Sequence, residues 1–372
     1  MGTIKLTCIS LFISWFCYGQ QNPYSLPVDK SATLETKNLL INLRKLVSKG
    51  IMFGHQDDLL YGKGWKYETN RSDVKSVCGD YPAVYGWEIG KVEIGASMNL
   101  DSVPFDEISK NIKIAYARGG VCTVSWHADN PQSEGSAWDT TRVVYSVLPG
   151  GKNHELFKQR LDRLANFFLS LKDDEGKPIP LIFRPYHENT GKWFWWGKNH
   201  CTPDEYKSLY RFTVNYLTKA KGVHNLLFAF SPDRVKNEGE YFETYPGDDF
   251  VDVLGLDVYC WNKPAGIQEY FKVAKNDLAM ITEAAKKKNK LAAFTETGLV
   301  EIPNPKWWTK VLWKTIKKYP VSYVLVWRNA YNRPNHYYAP YPGHTSSADF
   351  IEFYKLPGTL FQSDITKLNL YK

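Results

Sequence analysis

Eight apolar runs recur along the chain, each bounded by polar or turn-forming residues. They lie at 50–54 (GIMFG), 82–88 (PAVYGWE), 120–127 (GVCTVSWH), 179–187 (IPLIFRPYH), 225–230 (NLLFAF), 251–259 (VDVLGLDVY), 291–296 (LAAFTE) and 322–328 (SYVLVWR). Hydrophobicity that is continuous rather than alternating marks strands buried on both faces, as in a parallel sheet. Amphipathic stretches separate them at 105–118, 154–171, 203–221, 267–288 and 305–318. The third of these has a good start: Thr202 is a capping residue, Pro203 suits the first helical position, and Asp204 and Glu205 favour the first turn. Eight strands with helices between them predict an α/β protein built as a single (β/α)8 TIM barrel, in preference to a doubly wound sheet. No Ser- or Pro-rich linker and no short repeat divides it.

The N-terminus reads differently. Lys5 precedes an apolar run from Leu6 to Phe16, and Cys17 and Gly19 are small residues at the two positions a signal peptidase reads. This is the pattern of a signal peptide over residues 1–19, too short to span a membrane. The barrel domain is then expected over 20–372, exported, with the periplasm favoured over the medium. Bulky Phe16 ahead of Cys17 argues against a lipoprotein. No later stretch approaches the ~20 apolar residues that membrane insertion needs. Cys78, Cys122, Cys201 and Cys260 follow the leader; Cys122 and Cys260 lie inside strand-like runs and read as buried free thiols. Export permits a disulfide, but the spacing identifies no pair.

The net charge of +8 comes from 47 basic against 39 acidic residues, scattered along the chain. The longest basic run, Lys286, Lys287 and Lys288, ends a predicted helix, where cations suit the dipole. Without a basic stripe or a recognisable module, nucleic acid is not an expected partner. The 13 Trp, 24 Tyr and 19 Phe serve as core, and also as platforms for the flat faces of sugars.

Functional groups gather where the apolar runs stop: His55, Glu88, His127, His187, Glu188, Asp233, Asp257, Tyr259, Glu296, Trp327 and Arg328. In a barrel those strand ends meet at one mouth, where catalytic residues sit. The 128–153 stretch after the third strand, carrying Trp138, is either a loop that shapes the cleft or an ordinary surface excursion. The densest chemistry is the run from Arg184 to Gly197, where Glu188 ends a strand, His187 precedes it and four aromatics follow. Glu296 ends the seventh strand in the same way. Glycosidic cleavage needs two carboxyl groups flanking the bond, and aromatic burial helps keep the acid protonated. Either Glu alone reads more readily as a salt-bridged strand end, for example Glu188 with Arg184, because structural ion pairs are common. The pair at matching strand ends favours chemistry.

These residues resemble glycoside hydrolase family 26, whose best-known members are endo-β-1,4-mannanases. The likeness rests on Arg184-Pro-Tyr-His-Glu-Asn-x-Gly-x-Trp-Phe-Trp-Trp-Gly197, Phe294-Thr-Glu296, Val326-Trp-Arg-Asn-Ala330 and Gly54-His-Gln56. It implies a retaining double displacement with Glu188 as acid/base and Glu296 as nucleophile. It also implies that His187 helps hold the carboxyl network, Trp193 lines the cleft at the scissile bond and Tyr259 hydrogen-bonds the nucleophile. Trp327 would be the central sugar platform, and His127 and Arg328 polar groups of the cleft; apart from the resemblance, Trp138 on the loop after the third strand is a candidate for a further sugar contact. The implied partner is a β-mannan polysaccharide or manno-oligosaccharide, with no cofactor and no metal. Thr190 stands where the family often has a second Asn, and Lys192 replaces a smaller residue, so substrate contacts there are open.

The competing readings are weaker. Gly191 occupies the position of the second His in HExxH, so a zinc-protease motif fails. A non-catalytic carbohydrate-binding barrel would keep the aromatics and usually lose a carboxylate. A β-xylanase or mixed-linkage β-glucanase on the same scaffold stays open, since no residue in the sequence visibly reads an axial 2-hydroxyl. Endo action and release of short units from a chain end stay open too, as does oligomeric state.

Overall fold

The computed structural model describes Gly2 and residues 26–372; apart from Gly2, the expected signal peptide lies outside them, as do Cys8 and Cys17. The eight predicted strands form: β1 (Ile51–Gln56), β2 (Val84–Glu88), β3 (Val121–Trp126), β4 (Leu181–Pro185), β5 (Leu226–Phe230), β6 (Val253–Cys260), β7 (Leu291–Leu299) and β8 (Tyr323–Val326). Each pairs in parallel with the next, and β8 pairs with β1 from Met52↔Tyr323 to His55↔Val326, which closes the barrel. Nearly every strand residue is buried, as the unbroken hydrophobic runs require.

The two-residue period of a strand splits those side chains into two cores. Phe53, Cys122, Phe183, Phe228 and Phe294 face the surrounding helices. Met52, Val121, Ile182, Leu227, Val253, Leu291 and Tyr323 face inward and pack with Leu39, Leu40, Leu43 and Leu46. Those leucines come from the helix Leu34–Leu46, capped by the Thr33 hydroxyl on the Thr36 N–H, with Arg44 and Lys45 in its last turn. That helix plugs the bottom of the barrel. Toward the strand ends the interior turns polar, with Thr123, Ser125, Arg184, Ser231, Asp257, Thr295 and Glu296 all buried. Space there is tight: a Cβ on Gly86 would lie 1.9 Å from the Gln56 amide oxygen, so the Gln56 side chain occupies the room that a side chain at 86 would take.

The helices match the predicted stretches with one recurring difference. The 203–221 stretch is an α-helix over Pro203–Asn215, opened by the Thr202–Glu205 capping box, and then a π-turn over Tyr216–Ala220. The 305–318 stretch starts as a π-turn over Trp307–Leu312. There two adjacent indoles must be buried at once, Trp307 against Tyr270 and Trp308 against Phe350 and Phe53, and a widened turn accommodates both. After β8 the helix Ser347–Tyr354 leads to a short strand, Thr359–Leu360, that pairs with the start of β1. Cys78, Cys122, Cys201 and Cys260 are free thiols, with Cys122 and Cys260 buried. No helix among the described residues is long and apolar enough to cross a membrane.

Candidate active site

The centre of the mouth is a charged cluster contributed by four consecutive strands. Arg184, from β4, enters the barrel and is fully enclosed. Its Nη1 donates to Ser231 Oγ at 3.1 Å and to Asp257 Oδ2 at 2.7 Å, and its Nη2 donates to Glu296 Oε1. Burial opposes the guanidinium charge, but the carboxylates of Asp257 and Glu296 overcome that and hold Arg184 above its ordinary range. The Glu188–Arg184 ion pair considered from sequence does not form; Arg184 is taken by the acids of β6 and β7.

Glu296 reaches the interior through an irregularity. Phe294 points to the outer core and Thr295 inward, so strict alternation would turn Glu296 outward. Opposite β6 the register jumps from Leu256↔Phe294 to Asp257↔Glu296, and opposite β8 from Val324↔Phe294 to Val326↔Thr297. One extra residue sits in β7 against both neighbours, a β-bulge of the kind that re-aims a side chain. Glu296 Oε2 then accepts the Tyr259 hydroxyl at 2.6 Å.

Glu188 follows β4 in a chain reversal. Tyr186 and Glu188 both have positive φ, 53° and 54°, a left-handed conformation that costs non-glycine residues energy and persists only where surroundings fix it. They are fixed here. The Glu188 N–H donates to the Ser231 carbonyl at 2.8 Å, the Tyr206 hydroxyl to the Tyr186 carbonyl at 2.8 Å, and the Trp196 indole to the His187 carbonyl at 2.8 Å. The Glu188 side chain is half-buried, and its Oε2 accepts the Trp193 indole N–H at 2.7 Å. Burial first, then the negative charges of Glu296, Asp257 and Asp233, push Glu188 well above the usual carboxyl range; the Trp193 bond opposes this weakly. The two acids are thus in contrasting settings, one bound to a guanidinium and a phenol, the other held toward its neutral form. Of the three tryptophans in this run, Trp195 and Trp196 are fully buried packing, and Trp193 is 38% exposed at the mouth.

His187 does not bond to either of these carboxyls. Its Nε2 meets His127 Nε2 at 3.2 Å, and His127 Nδ1 meets Glu88 Oε2 at 2.6 Å. Burial, Arg184 and His127 all push His187 well below its ordinary range. For His127, burial works against the charged form, but Glu88 prevails and raises it; Glu88, despite burial, is lowered by His127. The arrangement is therefore a chain of contacts from Glu88 through His127 to His187, in which Glu88 favours the charged form of His127 and burial favours the neutral form of His187.

Around this core the remaining predicted residues line the cleft. Trp138 stacks on His127 at 5.1 Å and is 49% exposed, so the 128–153 loop does reach the mouth. It is pinned there by Asn130, whose amide donates to the Asp139 and Thr141 carbonyls. Trp327, half-buried, meets His127 edge-on at 6.1 Å. Arg328 lies toward the β1–β2 side, ion-paired to Asp101 at 2.6 Å and beside the Tyr61 hydroxyl, which itself donates to Asp57 at 2.5 Å. Asp101, Tyr61 and Asp57 were not picked out from sequence. They sit on loops after β1 and β2, where nothing in residue spacing signals a partnership with position 328. Trp193 as a donor to Glu188 was likewise not foreseen. Among the described residues no three His, Cys, Asp or Glu side chains are grouped as a metal site.

Comparison with known proteins agrees with this fold. The family model of glycosyl hydrolase family 26 matches residues 28–339. A mannan endo-1,4-β-mannosidase of Bifidobacterium adolescentis is 38% identical over 280 residues, which are 73% of this chain and 27% of that relative, so the chain spans about a quarter of that protein's length. A mannan endo-1,4-β-mannosidase of Bacillus subtilis strain 168 is 27% identical over 326 residues, 82% of this chain and 83% of the relative. The structure of a β-mannanase of the same family from Bacteroides ovatus superposes with a TM-score of 0.88 at 50% identity, covering 91% of this chain and 98% of that one. With a family model matched from residue 28 to 339 and a barrel shared with a family member at 50% identity, the chain belongs to glycosyl hydrolase family 26.

Proposed function

We propose that this glycoside hydrolase cleaves β-1,4-mannosidic linkages in mannan, galactomannan or glucomannan as an endo-acting, retaining β-mannanase. The observation that carries the reading is the contrast between the two acids. Glu296, oriented by Arg184 and Tyr259, acts as the carboxylate that attacks the anomeric carbon. Glu188, held toward its protonated form, gives its proton to the departing glycosidic oxygen as that bond breaks. A covalent glycosyl ester on Glu296 results. Glu188, now a carboxylate, takes a proton from water; the water oxygen bonds to the anomeric carbon, and Glu296 leaves with its electron pair.

The surrounding residues have supporting parts. Trp193, Trp327 and Trp138 offer indole faces to pyranose rings, and His127 and Arg328 offer polar contacts; His187, expected among the substrate contacts, is buried and supports His127 from behind. Mannan is supported by the names of the relatives. The leader pattern supports export, with the periplasm ahead of the medium, and residues 20–372 as one catalytic domain.

The test is product analysis on galactomannan, glucomannan, xylan and mixed-linkage β-glucan, with Glu296→Ala alongside. Release from mannans alone, in a ladder of chain lengths and absent from the folded variant, is the expected result. Release from xylan or β-glucan instead would reassign the substrate. Mannan hydrolysis that survives Glu296→Ala would place the nucleophile elsewhere.

A further inference from the structure

We infer that Thr295 is a positioning residue for Glu296, acting through its hydroxyl on the bulge that turns the carboxylate into the cleft. The inference rests on the proposed role of Glu296 as nucleophile and adds a residue to that site.

Thr295 is the extra residue of β7, inserted between the pairs Leu256↔Phe294 and Asp257↔Glu296. It is buried, 1% exposed, and its hydroxyl lies in the seam between β6 and β7. Oγ1 accepts the Leu256 N–H at 2.9 Å. Its single proton has two acceptors in reach, the Leu256 carbonyl at 3.0 Å and Asp257 Oδ1 at 2.7 Å, and the shorter contact to a carboxylate is the stronger. The side chain therefore satisfies the backbone where the bulge interrupts the ladder. Space for it comes from Gly255, where a Cβ would stand 2.7 Å from Thr295 Oγ1 and 2.7 Å from Ser231 Cβ.

The hydroxyl also closes a ring of contacts. Thr295 holds one oxygen of Asp257, the other oxygen of Asp257 holds Arg184, and Arg184 holds Glu296, the next residue along the chain. Glu296 is thus fixed from two directions, by its own backbone through the bulge and by its side chain through Arg184, and both lead to the same hydroxyl. Valine has the shape of threonine without the hydroxyl. In its place the Leu256 N–H and Asp257 Oδ1 would each lose a buried partner, and the register on both sides of the bulge would lose its anchor. Thr297, two residues on, supplies an internal control. Its buried hydroxyl bonds the Val258 carbonyl and Tyr270 on the outer side of the barrel, with the same chemistry but no link to the acids.

The experiment compares Thr295→Val, Thr295→Ser and Thr297→Val in the full chain. It measures steady-state kinetics on manno-oligosaccharides and an activated aryl β-mannoside, and a crystal structure of Thr295→Val. Displacing a reacting group by about 1 Å costs on the order of 100-fold, so kcat of Thr295→Val is expected to fall on the order of 10- to 100-fold with KM little changed. Thr295→Ser should recover most of the rate, Thr297→Val should keep it, and the structure should show the Glu296 carboxyl moved from Arg184 and Tyr259. A Thr295→Val enzyme as fast as Thr297→Val, or a serine variant as slow as the valine one, would overturn the inference. So would a structure with Glu296 unmoved. Wild-type protein inactive on every β-glycan would count against the proposed function, and the crystal structure would still decide the placement of Glu296.

Discussion

Tyr259→Phe separates the two halves of the proposed reaction. The Tyr259 hydroxyl donates to Glu296 Oε2 at 2.6 Å, while Arg184 holds the other oxygen. Phenylalanine keeps the ring and its edge-on contact with Tyr338 at 5.6 Å and removes only the donor. A hydrogen bond to a charged group contributes about 1.5–3 kcal/mol. Tyr259 is half-buried, so the low end applies, and at 1.36 kcal/mol per tenfold the effect is on the order of 10- to 30-fold. Its placement in the cycle follows from where charge sits. In forming the glycosyl ester Glu296 loses its charge, and the lost bond to Tyr259 matters least. When water releases the ester the charge returns to Glu296, and the missing donor is felt fully. With a dinitrophenyl β-mannoside, whose departure needs no acid, kcat should fall by that factor, and KM should fall with it as the ester accumulates. A pre-steady-state burst of phenolate, one per active site, should appear. Equal losses in kcat and kcat/KM without a burst would refute the reasoning, because they would place the bond in the first step.

Three further outcomes follow from the charge arrangement. Glu188→Ala should cost on the order of 100- to 10,000-fold on mannan and far less on the aryl mannoside; equal losses on both would count against an acid role. Because Glu188 works protonated and is held above the usual carboxyl range by burial and by Glu296, the alkaline limb of kcat/KM should lie above that range in the wild type and disappear for Glu188→Ala acting on the aryl substrate. Asp57 is pushed up to about 8 by burial and then by Asp101, from 3.8; between those values the folded state holds a proton the unfolded chain has released, so stability falls as pH rises. Asp57→Asn keeps an acceptor for Tyr61 and removes that slope, so its Tm advantage over wild type should grow from pH 4 to pH 8; a difference that does not change with pH would show that Asp57 carries no such proton.

The barrel was legible because strands buried on both faces read as short unbroken apolar runs, and eight of them recur with amphipathic stretches between: GIMFG and LLFAF carry no polar residue before they reach the mouth. The acids were legible for the same reason, as the point where such a run abruptly turns polar. What the chain order hides is partnership. Arg184 lies four residues from Glu188 and 112 from Glu296, yet it bonds to the distant one, because barrel closure aims β4 and β7 into the same interior. Arg328 finds Asp101 and Tyr61 on the loops after β2 and β1, again across the closing seam.

The parity of β7 is a different kind of hidden information. Ala293 faces inward and Phe294 outward, and a period of two then puts Thr295 inside and Glu296 outside, beneath the helices. A carboxylate there would be buried with no cation built for it, at a cost of several kcal/mol. The bulge avoids this by placing Thr295 and Glu296 on the same, inner face. Thr295 is the inserted residue, and its short side chain places a hydroxyl on the Leu256 backbone where the ladder is interrupted. Read in this way, Phe294-Thr295-Glu296 encodes the bulge as well as the acid, and the threonine is the part of the signal that a search for strand-end carboxylates passes over.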